Sequence, residues 1–351
     1  MSNTPRVIAS IVLLVVVYVT VATSRTTLPD LSFAQLQSGQ FQGILHCTGP
    51  MWNPEEHDGY LEAFSRTRSM MVRHGINLAP TQRFSFAQLV SNVEANMDRF
   101  SSELPLLSIS FNTIKNKTRV GLDADVAAGR FDQEVAQLAQ LVQSRRVPVF
   151  IRIGPEANGY WNGYAPKSFR QAFRHIVDIF QTQGADNAIF MWNYKAVLGK
   201  NVVAPYIDFY PGDDVVDWWS VDLFKNDFLN PTIKQKVKTF LADAASRGKP
   251  VIIPESAPST LDIGAPMGAS HKRQGSRGSA SSPQTTWDTW FVPYFELINA
   301  DSNVKAFCYS NRNFFKNDVK LKDWGNLRID QSPLKALYQQ ELLKPQYIHQ
   351  P

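Results

Sequence analysis

The stretch VPVFIRIGPEANGYW, Val147 to Trp161, decides how this chain folds. Val149-Phe150-Ile151-Arg152-Ile153 is a mostly apolar run bounded by turn formers, and it reads as a buried strand. Gly154 and Pro155 end that strand, and Glu156, Asn158, Tyr160 and Trp161 follow at once. A carboxyl group, an amide and two aromatic rings thus arrive at a strand's carboxyl end, where parallel α/β proteins place their chemistry. One glutamate alone reads equally well as a solvated loop residue. A second strand closes in the same way, however, in Pro250-Val251-Ile252-Ile253-Pro254-Glu255-Ser256. Two strands that each end in Pro-Glu point to a pair of acids working together.

Working outward, strands alternate with helices. The expected strands are Gly43 to Cys47, Gly75 to Ala79, Leu106 to Phe111, the opening run, Asn187 to Asn193, Val215 to Phe224, Lys249 to Glu255 and Val304 to Ser310. Between them, helical spacing of apolar residues appears at Glu55 to Arg73, Phe86 to Phe100, Phe131 to Ser144, Ser168 to Gln183 and Ile233 to Ser246, with a closing helix over Ser332 to Leu343. Eight such units predict a single α/β domain, a (β/α)₈ TIM barrel from about residue 41 to 351. A chain of 351 residues accommodates the ~250 residues of such a barrel with insertions.

Residues 1–24 are read as a signal peptide or membrane anchor and 25–40 as a polar linker. Val7 to Ser24 carries no charge and lies between Arg6 and Arg25, a length between a signal-peptide core of ~7–15 residues and a spanning helix of ~20. Either reading puts the barrel on the non-cytoplasmic side, secreted or anchored, with the membrane met only through that segment. Asn116-Lys117-Thr118 is then a candidate N-glycosylation site. Cys47 and Cys308 fall in the first and last strands, neighbours in a closed barrel, so they are either a disulfide or two buried thiols. The formal charge of +5 is spread along the chain apart from Gly264 to Gln284. That Gly/Ser-rich segment holds His271, Lys272, Arg273 and Arg277 and reads as a loop: a lid over the mouth, a contact for an anionic polymer, or a mobile solvated insertion. No nucleic-acid partner is expected, and the chain is expected to act as a monomer.

Glycoside hydrolysis needs two carboxyl groups flanking the scissile bond, one protonated and one ionised. Strands four and seven face each other across a barrel mouth, so Glu156 and Glu255 are the candidate pair. Their separation decides the stereochemistry: ~5–5.5 Å for retention, ~6.5–9.5 Å for inversion. The six histidines show no ligand spacing, so no metal and no cofactor is expected. Candidate sugar ligands are Arg152, Asn158, Trp161, Asn193, Tyr210, Asp222 and Tyr309. Arg152 reads equally as half of a buried ion pair, and each aromatic residue as plain packing. Adjacent Trp218 and Trp219 must face opposite sides of their strand.

These residues resemble glycoside hydrolase family 26, which includes endo-β-mannanases, β-1,3-xylanases and lichenases. The family's Arg-x-x-His-Glu-Met-Asn-Gly and following Trp are matched by Arg152, Glu156, Asn158, Gly159 and Trp161. Its Tyr-Pro-Gly-Asp and Asp-x-Tyr segments are matched by Tyr210-Pro211-Gly212-Asp213 and Asp222-Leu223-Phe224. Its seventh-strand nucleophile corresponds to Glu255, and its closing Arg-Ile-Asp-x-Ser-Pro to Arg328-Ile329-Asp330-Gln331-Ser332-Pro333. The resemblance runs from about Phe131 to Leu343. It implies a retaining endo-β-glycosidase on a polysaccharide, β-1,4-mannan first and β-1,3-xylan or β-glucan next, with Glu156 as acid/base and Glu255 as nucleophile. Pro155, Ala157 and Phe224 depart from the family's His, Met and Tyr. A glycan-binding barrel without turnover and a purely structural scaffold are the rival readings.

Overall fold

A computed structural model describes residues 31–49, 53–79, 84–115, 118–201, 203–224, 227, 229–258, 283–314 and 325–350. The N-terminal apolar segment, the sequon at Asn116 and all but the last two residues of the Gly/Ser-rich insertion lie outside them.

Eight parallel strands form a closed barrel: β1 (Ile44–Thr48), β2 (Met71–Asn77), β3 (Leu104–Ser110), β4 (Val149–Ile153), β5 (Ala188–Lys195), β6 (Trp218–Phe224), β7 (Val251–Ala257) and β8 (Val304–Tyr309). Each pairs with the next, and β8 returns to β1 with Cys47 opposite Cys308. Those two residues are joined by a disulfide with their Cα atoms 4.1 Å apart. It lies inside the barrel, so the oxidised alternative holds.

Side chains alternate across each strand, and here the alternation separates two cores. Leu45, Cys47, Met71, Leu106, Phe150, Met191, Trp218, Ile252 and Cys308 pack inside the barrel. Ile151, Ile153, Trp192, Trp219, Phe307 and Tyr309 point outward into the larger layer beneath the helices. Trp218 and Trp219 thus divide between the two, as adjacent strand residues must. One step above the inner apolar layer, the same inward face turns polar. Met71 is followed by Arg73, Phe150 by Arg152, Met191 by Asn193, and Trp218 by Ser220 and Asp222.

Glu255 keeps company with this set only because β7 carries an extra residue. Ile253 pairs with Phe307 and Ser256 with Tyr309, three steps on β7 against two on β8; against β6 it is four steps to three. Pro254, which has no N–H to give to a ladder, sits in that bulge. The bulge shifts the alternation by one, so that Ile252 and Glu255 share the inner face.

Two expectations change. The stretch read as a helix to Arg73 is helical only over Pro54–Ala63, and β2 begins at Met71. Part of the expected linker is also folded. Helix Phe33–Ser38, closed by a capping box of Ser32 and Gln35, buries Leu36 at the barrel's amino end. Its Leu36 and Gln37 carbonyls accept from Trp218 Nε1 at 2.8 and 3.0 Å. An antiparallel hairpin, Asn112–Lys115 with Thr118–Gly121, rises after β3; nothing in the sequence pattern marked it.

Candidate active site

The turn after β4 carries the first carboxyl group in an unusual backbone. Gly154 has φ +59°, and a Cβ there would meet Phe169 at 2.4 Å. Glu156 has φ +52°, one of two non-glycine residues in the left-handed region among those described. Such a conformation persists only where the surroundings enforce it. Asn193 Oδ1 accepts from the Glu156 backbone N–H at 2.5 Å, and Asn162 Nδ2 donates to the Glu156 carbonyl at 2.9 Å. The side chain is thereby aimed at the mouth, where Trp161 Nε1 donates to its Oε2 at 2.8 Å.

The second carboxyl group, on β7, is gripped by two cations. Arg152 Nη1 donates to Glu255 Oε1 at 2.6 Å, and Arg73 Nη1 lies 2.9 Å from the same oxygen. Arg152 is fully buried and also pairs with Asp222 and donates to Asn193 Oδ1 at 2.7 Å. Glu255 remains 24% exposed at the cleft floor, so its free oxygen is accessible.

These surroundings push the two acids apart. Burial raises Glu156, Lys195 opposes this, and the negative charge of Glu255 adds to the rise. Burial also works to raise Glu255, but Arg73 and Arg152 together outweigh it and hold the carboxyl below its ordinary value. Burial likewise pushes Asp222 up, against Arg152. One carboxyl raised and the other lowered is the direction of separation that acid-assisted displacement requires.

A cleft of about 650 Å³ opens over both acids. Arg73, Ser108, Asn112, Arg119, Trp161 and Asn162 are among its walls. Ser108 stands opposite Arg152 in the ladder, and its buried hydroxyl has no partner among the described residues.

Of the residues picked from sequence, Glu156, Glu255 and Trp161 line this cleft. Arg152, Asn193 and Asp222 lie directly beneath it, fully buried, and act on the acids rather than on a ligand. Three belong elsewhere. Both ends of the Asn158 amide are spent on the Lys195 backbone, at 2.7 and 2.9 Å. Tyr210 sits outside the barrel, 4.9 Å from both Trp192 and Trp219, with its hydroxyl on Asp213. Tyr309 is buried against Phe291 and Tyr338 and donates to the Leu327 carbonyl. Arg73, Ser108, Asn112, Arg119 and Arg312 went unrecognised. For Arg73 and Ser108 the signal was a place two residues after an inward-facing apolar residue, Met71 and Leu106 respectively; for the others no pattern pointed to the site.

Residues 109–249 match the family model of glycosyl hydrolase family 26. A β-1,3-xylanase of an Alcaligenes species is 26% identical over 270 residues, covering 74% of this chain and 57% of its own. A β-1,3-xylanase of a Vibrio species is 26% identical over 232 residues, covering 64% and 50%. The chain thus spans little more than half the length of these curated relatives. Among solved structures, a modular endo-β-1,4-mannanase from Cellulomonas fimi superimposes with a TM-score of 0.63 at 15% identity, over 91% of this chain and 76% of that one.

Proposed function

Taking the chain as a member of glycoside hydrolase family 26, we propose that it is a retaining endo-β-glycosidase acting on a β-linked polysaccharide. The observation that carries this is the opposed environment of the two acids, one raised by burial and one held down by two guanidiniums.

Glu156 gives its proton to the glycosidic oxygen as Glu255 attacks the anomeric carbon from the other face, forming a covalent glycosyl ester. Glu156, now ionised, takes a proton from water as that water attacks the same carbon and Glu255 departs. Arg73 and Arg152 keep Glu255 ionised for attack and stabilise it as a leaving group. Both reacting groups are side chains, so the chemistry needs no cofactor.

We put β-1,3-xylan first as the polymer, because both curated relatives described above carry that activity in their names. β-1,4-Mannan, the expectation from the motifs, has likeness of fold behind it and comes second. The left-handed Glu156, held at its N–H and its carbonyl, favours turnover over mere binding, since a lectin-like barrel has no need of a strained acid. We take the working unit as a monomer. The buried disulfide is consistent with a secreted or membrane-anchored protein whose barrel meets an oxidising compartment.

The test is release of reducing ends from β-1,3-xylan, β-1,4-mannan and mixed-linkage β-glucan by the wild type, Glu156→Gln and Glu255→Gln. Activity on one polymer, lost in both variants, supports the reading. Activity that survives Glu255→Gln contradicts it.

A further inference from the structure

The cleft carries a cation, Arg119, that the chemistry above does not use. Its described ionisable lining residues are Arg73, Arg119, Arg312, Glu156 and Glu255. Arg73 is committed to Glu255, and Glu156 Oε2 accepts from Trp161 Nε1 at 2.8 Å. Arg312 is buried, its guanidinium 4.6 Å from the centre of the Phe314 ring. Arg119 is exposed on the hairpin, paired in register with Ile114, itself 54% exposed. Among the described residues no carboxylate pairs with Arg119.

The hairpin is fixed against the loop that bears the acid. Asn112 Nδ2 donates to Asn162 Oδ1 at 3.1 Å, and the Tyr164 hydroxyl accepts from the Phe111 backbone N–H at the hairpin's base. At the seam, Gly121 and Gly163 meet so closely that a Cβ on Gly121 would lie 2.5 Å from the Gly163 carbonyl oxygen. A Cβ on Gly163 would lie 3.1 Å from the Arg119 carbonyl oxygen. Arg119 is therefore carried at a set position relative to Glu156 and Trp161, rather than on an independent loop.

A neutral polysaccharide gives such a guanidinium only hydroxyls to meet, whereas an oxyanion meets it with paired, charge-assisted hydrogen bonds. We propose that the cleft recognises a β-glycan bearing oxyanion substituents, carboxylate or sulfate, and that Arg119 meets the substituent. This rests on the glycosidase reading for its polymer and adds to it the chemical class of the chain.

The experiment measures binding without turnover, by retardation of the protein in gels containing β-1,3-xylan or β-1,4-mannan. Each polymer is used as the parent and after light O-sulfation or O-carboxymethylation. The substituted polymers are expected to bind about three- to tenfold more tightly than the parent at low salt, a gain that about 0.5 M salt removes. In Arg119→Ala and Arg119→Gln the ratio of substituted to parent affinity should fall to about one. A gain confined to sulfated or to carboxymethylated polymer supports the proposal and names the substituent. Equal binding of parent and derivatives, or a gain that persists in both Arg119 variants, overturns it. Hydrolysis of a parent polymer without any gain sinks this inference and leaves the glycosidase reading intact; a gain without hydrolysis of any polymer does the reverse.

Discussion

Arg73 Nη1, on β2, lies 2.9 Å from Glu255 Oε1, on β7, and shares that oxygen with Arg152. The proposed nucleophile is thereby held below its ordinary value by two cations, one from β2 and one from β4, whereas Pro155 and Phe224, where the family pattern has His and Tyr, bring no charge to it. Removing Arg73 leaves burial opposed by Arg152 and the smaller pull of Lys195, so the Glu255 carboxyl rises. Arg73→Leu is expected to move the acidic limb of the kcat/KM profile upward by about one pH unit, with kcat falling at least tenfold. Arg73→Lys should keep much of the pH behaviour. An unchanged acidic limb in Arg73→Leu would mean that Arg152 suffices.

Trp161 acts on the other limb. Its indole N–H favours the ionised form of Glu156, so its loss should raise that carboxyl further. Trp161→Phe should shift the alkaline limb upward while leaving the acidic limb in place. A downward shift would show that the indole acts on something other than Glu156.

His74 makes a separate prediction about stability. It is buried on β2 with both ring nitrogens lacking a partner among the described residues. Burial, with the charges of His57 and Arg73, lowers it to about 3. The unfolded chain protonates it near 6.5. Its folded value is the lower one, so stability is full above pH 6.5 and is lost as pH falls from there toward 3. Between pH 7 and 4 this costs on the order of 3 kcal/mol. His74→Leu should flatten that acid slope in urea unfolding; an equally steep slope would assign the loss to other groups, His46 first among them.

How much of this was legible is clearest from the strands. β4 and β7 could be read because each has an apolar run cut by a Pro-Glu. Of β2 only the end, from Gly75, could be read, because Arg73 and His74 break up its apolar pattern and, with Arg66 and Arg68 just before it, looked like the exposed face of a longer helix. That error concealed Arg73. Tyr309 was misjudged although the information was present: if Cys308 faces Cys47 inside the barrel, its neighbour must face the helices. Tyr210 precedes β6, where alternation gives no guidance. The hairpin's contribution rests on contacts between residues 50 and 42 positions apart, Asn112 with Asn162 and Gly121 with Gly163, which no local period records.

The Cys47–Cys308 bond ties the closing strands β1 and β8 across a separation of 261 residues. Cys47→Ser is expected to lower stability by about 2–5 kcal/mol in urea unfolding. The active residues lie on other strands, so kcat in the folded fraction should stay within about twofold. A variant as stable as the wild type would show that the barrel seam holds without the bond.

The most direct test of the central claim is to trap the intermediate. The protein is incubated with an activated 2-deoxy-2-fluoro β-xyloside or β-mannoside carrying one or more further sugars, and its peptides are weighed by mass spectrometry. The account predicts one glycosyl adduct, on Glu255, accumulating as activity is lost and absent in Glu255→Gln. An adduct on Glu156, or sustained hydrolysis that yields the inverted anomer with no adduct on Glu255, would contradict it.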